Sequence, residues 1–98
     1  MSEDAQFSIA ADHPCLAGHF PNRPIVPGVL LLAHAVAAIE AVHGRQCWLR
    51  FPQVKFVQPL LPGEIARVSF ALAGAQRWRF TVLRGDGTLL ARGEASAA

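Results

Sequence analysis

The sequence predicts an α+β fold, with one long helix packed on a face of a curled antiparallel sheet. Two observations carry that expectation. Between Val29 and Val42 only His34 and Glu40 are polar, which makes one long apolar helix. The segments that follow alternate apolar and polar residues at period two, separated by turn residues, as strands do. A helix apolar nearly all round is buried on most sides. In a chain of 98 residues that means a sheet curled around it, a partner subunit, or both.

The size predicts one domain, residues 1–98, with no room for a second. The chain is 52% hydrophobic and 16% charged, which points to apolar surface buried against a partner. A net charge of +2, without dense basic runs, argues against nucleic acid and is compatible with an acidic protein partner. The two cysteines, Cys15 and Cys47, form neither a metal spacing nor a CxxC; they read as two free thiols or as one disulfide. Met1 leads into SEDAQ rather than a basic and then apolar segment. The longest apolar run, Ile25 to Ile39, is too short for a membrane span and contains His34. We therefore expect a soluble, cytoplasmic protein without membrane association.

Gln6 to Ile9 alternates and reads as a short strand, broken by Asp12-His13-Pro14. Pro21, Pro24 and Pro27 stiffen the next loop and forbid helix through it. The helix is expected to start near Pro27, which suits a first helical position, and to end at His43-Gly44. Gln46 to Phe51 and Val54 to Val57 read as strand on either side of Pro52. Leu60 to Glu64 is a turn, and Ile65 to Leu72 alternates again. Arg77 to Arg84 sets Arg77, Arg79 and Thr81 against Trp78, Phe80 and Val82. Gly85-Asp86-Gly87 signals a hairpin, and Thr88 to Ala95 closes the sheet. Dimerisation by edge pairing would protect one exposed sheet edge.

The helix start is the first place for chemistry. No Ser, Thr, Asp or Asn occupies the cap position, where Val26 and Pro27 stand instead. The N–H groups of Gly28, Val29 and Leu30 therefore lack a side-chain partner. Either they receive a partial negative charge, helped by the helix dipole, or water or a backbone carbonyl satisfies them. Gly28 has no side chain and lets a ligand oxygen approach closely. His19, on the proline-stiffened loop, is either a general base or a loop histidine with a structural hydrogen bond. A lone helical histidine such as His34 is more often a core or interface residue than a catalyst. The four histidines have no metal-ligand spacing, so no metal is expected. Glu40, the helix's single carboxylate, lies too far from the first turn to meet chemistry there.

The string GHFPNRPIVPGVLLL resembles the helix-entry motif of the β-hydroxyacyl-acyl carrier protein dehydratases, carried here by His19, Phe20, Pro21, Pro24, Pro27, Gly28 and Val29. Val54 to Phe70, VKFVQPLLPGEIARVSF, resembles the same family's strand, Pro-x-x-Pro-Gly-acid turn and next strand. The two motifs cover about half the chain, and the short length is most similar to the dehydratase-like proteins of aryl polyene biosynthesis. The resemblance implies a hotdog fold, in which the sheet wraps the central helix, and a homodimer whose sheets join, with two active sites at its interface. It implies that His19 is the base, that the Gly28 N–H meets the thioester carbonyl, and that Phe20, Pro27, Val29 and Leu30 line the substrate site. It implies a β-hydroxyacyl chain on the phosphopantetheine of an acyl carrier protein, without metal or other cofactor. Exposed Arg23, Arg45, Arg50, Lys55, Arg77 or Arg79 are candidates to receive the carrier.

One departure matters. The family places an Asp or Glu, contributed by the other subunit, fourteen residues after the histidine; here that position is Ala33. His34 follows it, but one residue along a helix is about 100° of rotation, so His34 does not simply replace the acid. Loss of a general acid costs roughly 10²–10⁴-fold in rate. The expectation is therefore a dehydratase of reduced or no activity as it stands. The alternatives are a non-catalytic hotdog subunit that binds a carrier or a homologous partner, and an acyl thioesterase.

Overall fold

The computed structural model describes residues 3–10, 12, 25–45 and 49–97. His13, Cys15, His19, Phe20, Pro21, Arg23, Pro24 and Cys47 lie outside the described residues. The described chain is one helix and five strands: β1 (Glu3–Ser8), α1 (Gly28–His43), β2 (Arg50–Phe56), β3 (Ile65–Gly74), β4 (Arg77–Arg84) and β5 (Leu89–Ser96). The strands form one antiparallel sheet in the order β1-β3-β4-β5-β2.

The helix begins and ends where the sequence punctuates it. Pro27 precedes it with φ −58° and ψ 142°, an extended conformation that proline adopts without strain. Gly44 follows with φ 85°, and its N–H donates to the Glu40 carbonyl at 2.9 Å. Only glycine takes that φ at no steric cost. The helix lies on the sheet face that carries Ala66, Val68, Phe70, Trp78, Phe80 and Val82, and meets it with Leu31, Ala35, Ala38 and Ile39. Each large side chain buried there contributes on the order of 1.5–3 kcal/mol.

Three expectations shift. The first strand runs Glu3–Ser8, not Gln6–Ile9, because pairing decides it: Glu3 stands opposite Phe70 and Ser8 opposite Ile65. Ile9 is past the strand, buried, and its carbonyl accepts the Gly63 N–H at 2.8 Å. The segments either side of Pro52 join into β2. A proline fits there because β2 is an edge strand with an irregularity between Arg50 and Gln53. That irregularity brings backbone so close to Gly93 that a Cβ there would collide with the Gln53 carbonyl oxygen. The third shift concerns α1, which is buried on one face only. The opposite face shows Val29, Ala33, Ala37 and Ala41 to solvent, with Val29 66% exposed. These residues recur every four positions and form one continuous apolar stripe.

Candidate functional site

The site is built where the start of α1 meets the connection between β2 and β3. The Val26 N–H donates to the Leu60 carbonyl at 2.8 Å, which ties the segment entering the helix to that connection. The N–H groups of Val57 and Gln58 both donate to the Leu90 carbonyl, at 2.8 and 3.3 Å, and dock the connection on β5. Between these ties lies an open groove of about 590 Å³, lined by Ile25, Val26, Gly28, Val29, Leu31 and Leu32 on the helix side. Phe56 through Leu60 form the other wall. Among the described residues, Gln58 brings the one polar side chain to an otherwise apolar lining.

At the helix end of this groove the backbone donors are open. Pro27 makes no side-chain cap. The Leu30 N–H turns back to the Pro27 carbonyl at 3.0 Å, so a backbone carbonyl satisfies it. Among the described residues, no acceptor stands against the N–H of Gly28 or Val29. The dipole of a sixteen-residue helix, about 24 Å long, adds to the pull of those donors on a partial negative charge. The Phe56 ring packs over Gly28, where a Cβ would lie 2.8 Å from its Cε1 and Cζ atoms. Gly28 is thus the residue that lets an aromatic wall and a helix start share one groove.

Of the residues expected at the site, Gly28 and Val29 line this groove, while Pro27 and Leu30 stand beside them at the helix start without lining it; the positions of His19 and Phe20 lie outside the described residues. Ala33 does not line the groove. Five residues along a helix is about 7.5 Å of rise and about 140° of rotation from Gly28. A side chain at 33 therefore faces solvent, on the stripe with Val29 and Ala37. The His34 ring stacks on Phe7 of β1, with centroids 4.1 Å apart and planes 6° apart, so it is engaged in packing. Sequence reasoning missed Phe56, Val57 and Gln58 as one wall of the site. Their motif was legible as strand and turn, but only the Val26–Leu60 tie puts it beside the helix start.

The second motif closes this wall from behind. Gly63 takes φ +85° in the turn after Pro62. Glu64 accepts the Leu61 N–H on Oε1 at 2.8 Å, and the same oxygen lies 3.4 Å from Arg84 Nε. The acid of the Pro-Gly-acid turn is therefore a structural residue here. Among the described residues, no group of His, Cys, Asp and Glu is arranged to hold a metal ion, and no helix is long and apolar enough to cross a membrane.

A family model described as ApeI dehydratase, of the ApeI-like family, matches residues 2–94. The chain belongs to the ApeI-like dehydratases. It is 29% identical over 103 residues to the 3-hydroxyacyl-acyl-carrier-protein dehydratase FabZ of Bradyrhizobium sp. strain BTAi1, a match that spans 92% of this chain and 68% of that protein. It is 32% identical over 107 residues to the FabZ of Geobacter metallireducens, over 93% of this chain and 71% of the relative. Among solved structures, the dehydratase heterocomplex ApeI:P from Xenorhabdus doucetiae superposes with a TM-score of 0.80 at 18% identity, covering 97% of this chain and 85% of that one. The (R)-hydratase of A. caviae involved in PHA biosynthesis superposes at 0.73 and 16% identity, over 97% and 91%. The ApeI-like dehydratases share with these structures the hotdog fold, and the described residues of this chain set one helix against one antiparallel sheet.

Proposed function

We propose that this ApeI-like chain acts on β-hydroxyacyl thioesters carried by an acyl carrier protein and forms the trans-2-enoyl thioester. The observation that carries the reading is the uncapped helix start beside an apolar groove, in a chain of a dehydratase family. The thioester carbonyl would accept the Gly28 N–H, so that negative charge developing on its oxygen meets the helix dipole. His19 takes the proton from the α-carbon. The electron pair of that C–H bond forms the double bond to the β-carbon, the β-carbon–oxygen bond breaks, and the hydroxyl departs as water. With Ala33 at the acid position, the departing oxygen takes its proton from His19 or from solvent. No cofactor is required beyond the phosphopantetheine that carries the substrate.

The chain is half of the working unit in this reading. Ala33 faces away from the chain's own groove, so an acid at that position can serve only a groove on another subunit. The open stripe of Val29, Ala33, Ala37 and Ala41 suits a partner helix, since small side chains let two helices approach closely. A homodimer would bring no acid to either site. A heterodimer with an acid-bearing hotdog subunit would complete the site at which His19 is proposed to act. That second reading is favoured by Ala33 and by a structural neighbour that is itself a heterocomplex. Lys55, Arg79 and Arg92 make no ion pair among the described residues and line a trough on the sheet face away from the helix, where an acidic carrier would find complementary charge.

The test is dehydration of a β-hydroxyacyl carrier substrate by the chain alone, by Ala33→Asp and Ala33→Glu, and by the chain mixed with an acid-bearing homologue. An acid at 33 is expected to raise turnover by roughly 10²–10⁴-fold. Turnover only in the mixture would assign a partner-subunit role. Release of free thiol without enoyl product would replace dehydration by thioester hydrolysis. No turnover in any arm, with His19→Ala indistinguishable from the parent, would sink the enzyme reading.

A further inference from the structure

Arg84 sits at the end of β4, outside the groove, with its side chain only 24% exposed. Its Nη2 donates to the Pro59 carbonyl at 2.8 Å. Its Nε lies 3.4 Å from Glu64 Oε1 and its Nη1 3.9 Å from Asp86 Oδ2, ion-pair contacts without a hydrogen bond. The guanidinium thus joins three pieces of chain: the groove wall, the Pro-Gly-acid turn and the β4–β5 hairpin. The wall needs such a tie. Val57 and Gln58 are fixed through their N–H groups to Leu90, but Pro59 has no N–H to give. Its carbonyl is the handle left, and Arg84 holds it. The next carbonyl, of Leu60, receives Val26 from the helix-entry segment. Moving Pro59 therefore moves both sides of the groove relative to Gly28.

We propose that Arg84 is a positioning residue that sets the width of the groove beside Gly28, and so decides which acyl chains fit there. It does not touch the ligand. It acts through the Pro59 carbonyl, and Glu64 and Asp86 hold its charge and direction. A planar fork with several donors suits this task, because it addresses a carbonyl and a carboxylate at once. Lysine carries one point of charge and makes one of those contacts at a time. The proposal rests on the acyl-thioester reading of the site.

The experiment uses the whole chain, or its complex with an acid-bearing partner if that is the assembled form. Affinities are measured by calorimetry for two hydrolysis-resistant probes, butanoyl- and decanoyl-pantetheine amides, on the parent, Arg84→Lys and Arg84→Met. The parent is expected to discriminate between the two chain lengths. Arg84→Met is expected to reduce that discrimination by about tenfold, equivalent to about 1.4 kcal/mol. Arg84→Lys should fall between them, and remains informative if the Met variant does not fold. Val82→Ala, buried on β4 away from the wall, serves as a control for lost stability: it lowers the melting temperature and leaves the ratio unchanged. Equal weakening of both probes in the Arg84 variants would overturn the positioning role and leave a structural one. If the parent binds neither probe, the acyl reading of the groove falls and this inference falls with it.

Discussion

The two ends of the helix are treated oppositely. At its C-terminus, Gly44 returns its N–H to Glu40, and the His43 ring packs 6.0 Å from Phe70 and 5.5 Å from Trp78, centroid to centroid. At its N-terminus, Gly28 and Val29 line an apolar groove and their N–H groups have no acceptor among the described residues, with proline where a capping side chain usually stands. The chain does cap backbone elsewhere: Glu64 takes the Leu61 N–H and Asp86 the Thr88 N–H. An uncapped helix start costs about 0.5–2 kcal/mol against a good N-cap. One end of this helix is finished for stability; the other is left open beside the groove.

The closed end should be the costly one to damage. Trp78 is buried beside His43, and Trp78→Ala should cost about 3–5 kcal/mol through lost burial and the cavity left behind. Urea unfolding checks this. A loss under about 1 kcal/mol would mean that the sheet end collapses around the gap and that the two ends do not differ as argued. The open end should respond with the other sign. Pro27→Ser supplies the missing cap, and its backbone angles of −58° and 142° already suit a capping residue. We expect it to stabilise by under about 1 kcal/mol in thermal or urea unfolding, the gain from the cap less what proline contributes by restraining the unfolded chain. Under the proposed function the same hydroxyl would compete with the thioester carbonyl for a backbone donor, so binding of an acyl-pantetheine probe should weaken. A variant more stable and equally good at binding would show that the open donors are not used.

That contrast was half legible in the sequence. The helix ends were readable because Pro27 and Gly44 act locally, through φ and through a missing N–H. The alternation from Ile65 to Arg84 named the interior side chains, because a strand's period needs no partner to be recognised. The first strand could not be placed by that rule: its register is set by pairing with β3, about sixty residues away in sequence. Helix burial was left open between sheet and partner for a related reason. Apolar residues all round the helix say that it will be covered; they do not say by which chain, and Val29 and Ala37 stay open in this one. The groove wall and Arg84 were invisible, since nothing in PLLPGE or LRGDG announces that an arginine from one will hold a proline carbonyl of the other.

The smallest effect lies at the hairpin turn, and it tests whether caps elsewhere behave as the helix start lacks. Asp86 is exposed, and its carboxylate accepts the Thr88 N–H at 2.9 Å. That hydrogen bond favours the ionised form and holds the Asp86 carboxyl below its ordinary range, with the nearby Arg84 guanidinium acting in the same direction. A lowered folded-state value means that the ionised cap adds stability at pH values above the ordinary carboxylate range. The contribution is lost as pH falls through the lowered value. Asp86→Ala should therefore melt slightly below the parent at neutral pH, and the gap should narrow as the solution is acidified. Thermal melts of both proteins across that range measure it. A gap that stays constant into strong acid would show that the Thr88 contact owes nothing to the charge. The cap would then be a matter of turn geometry, which leaves the open helix start to be explained by its groove alone.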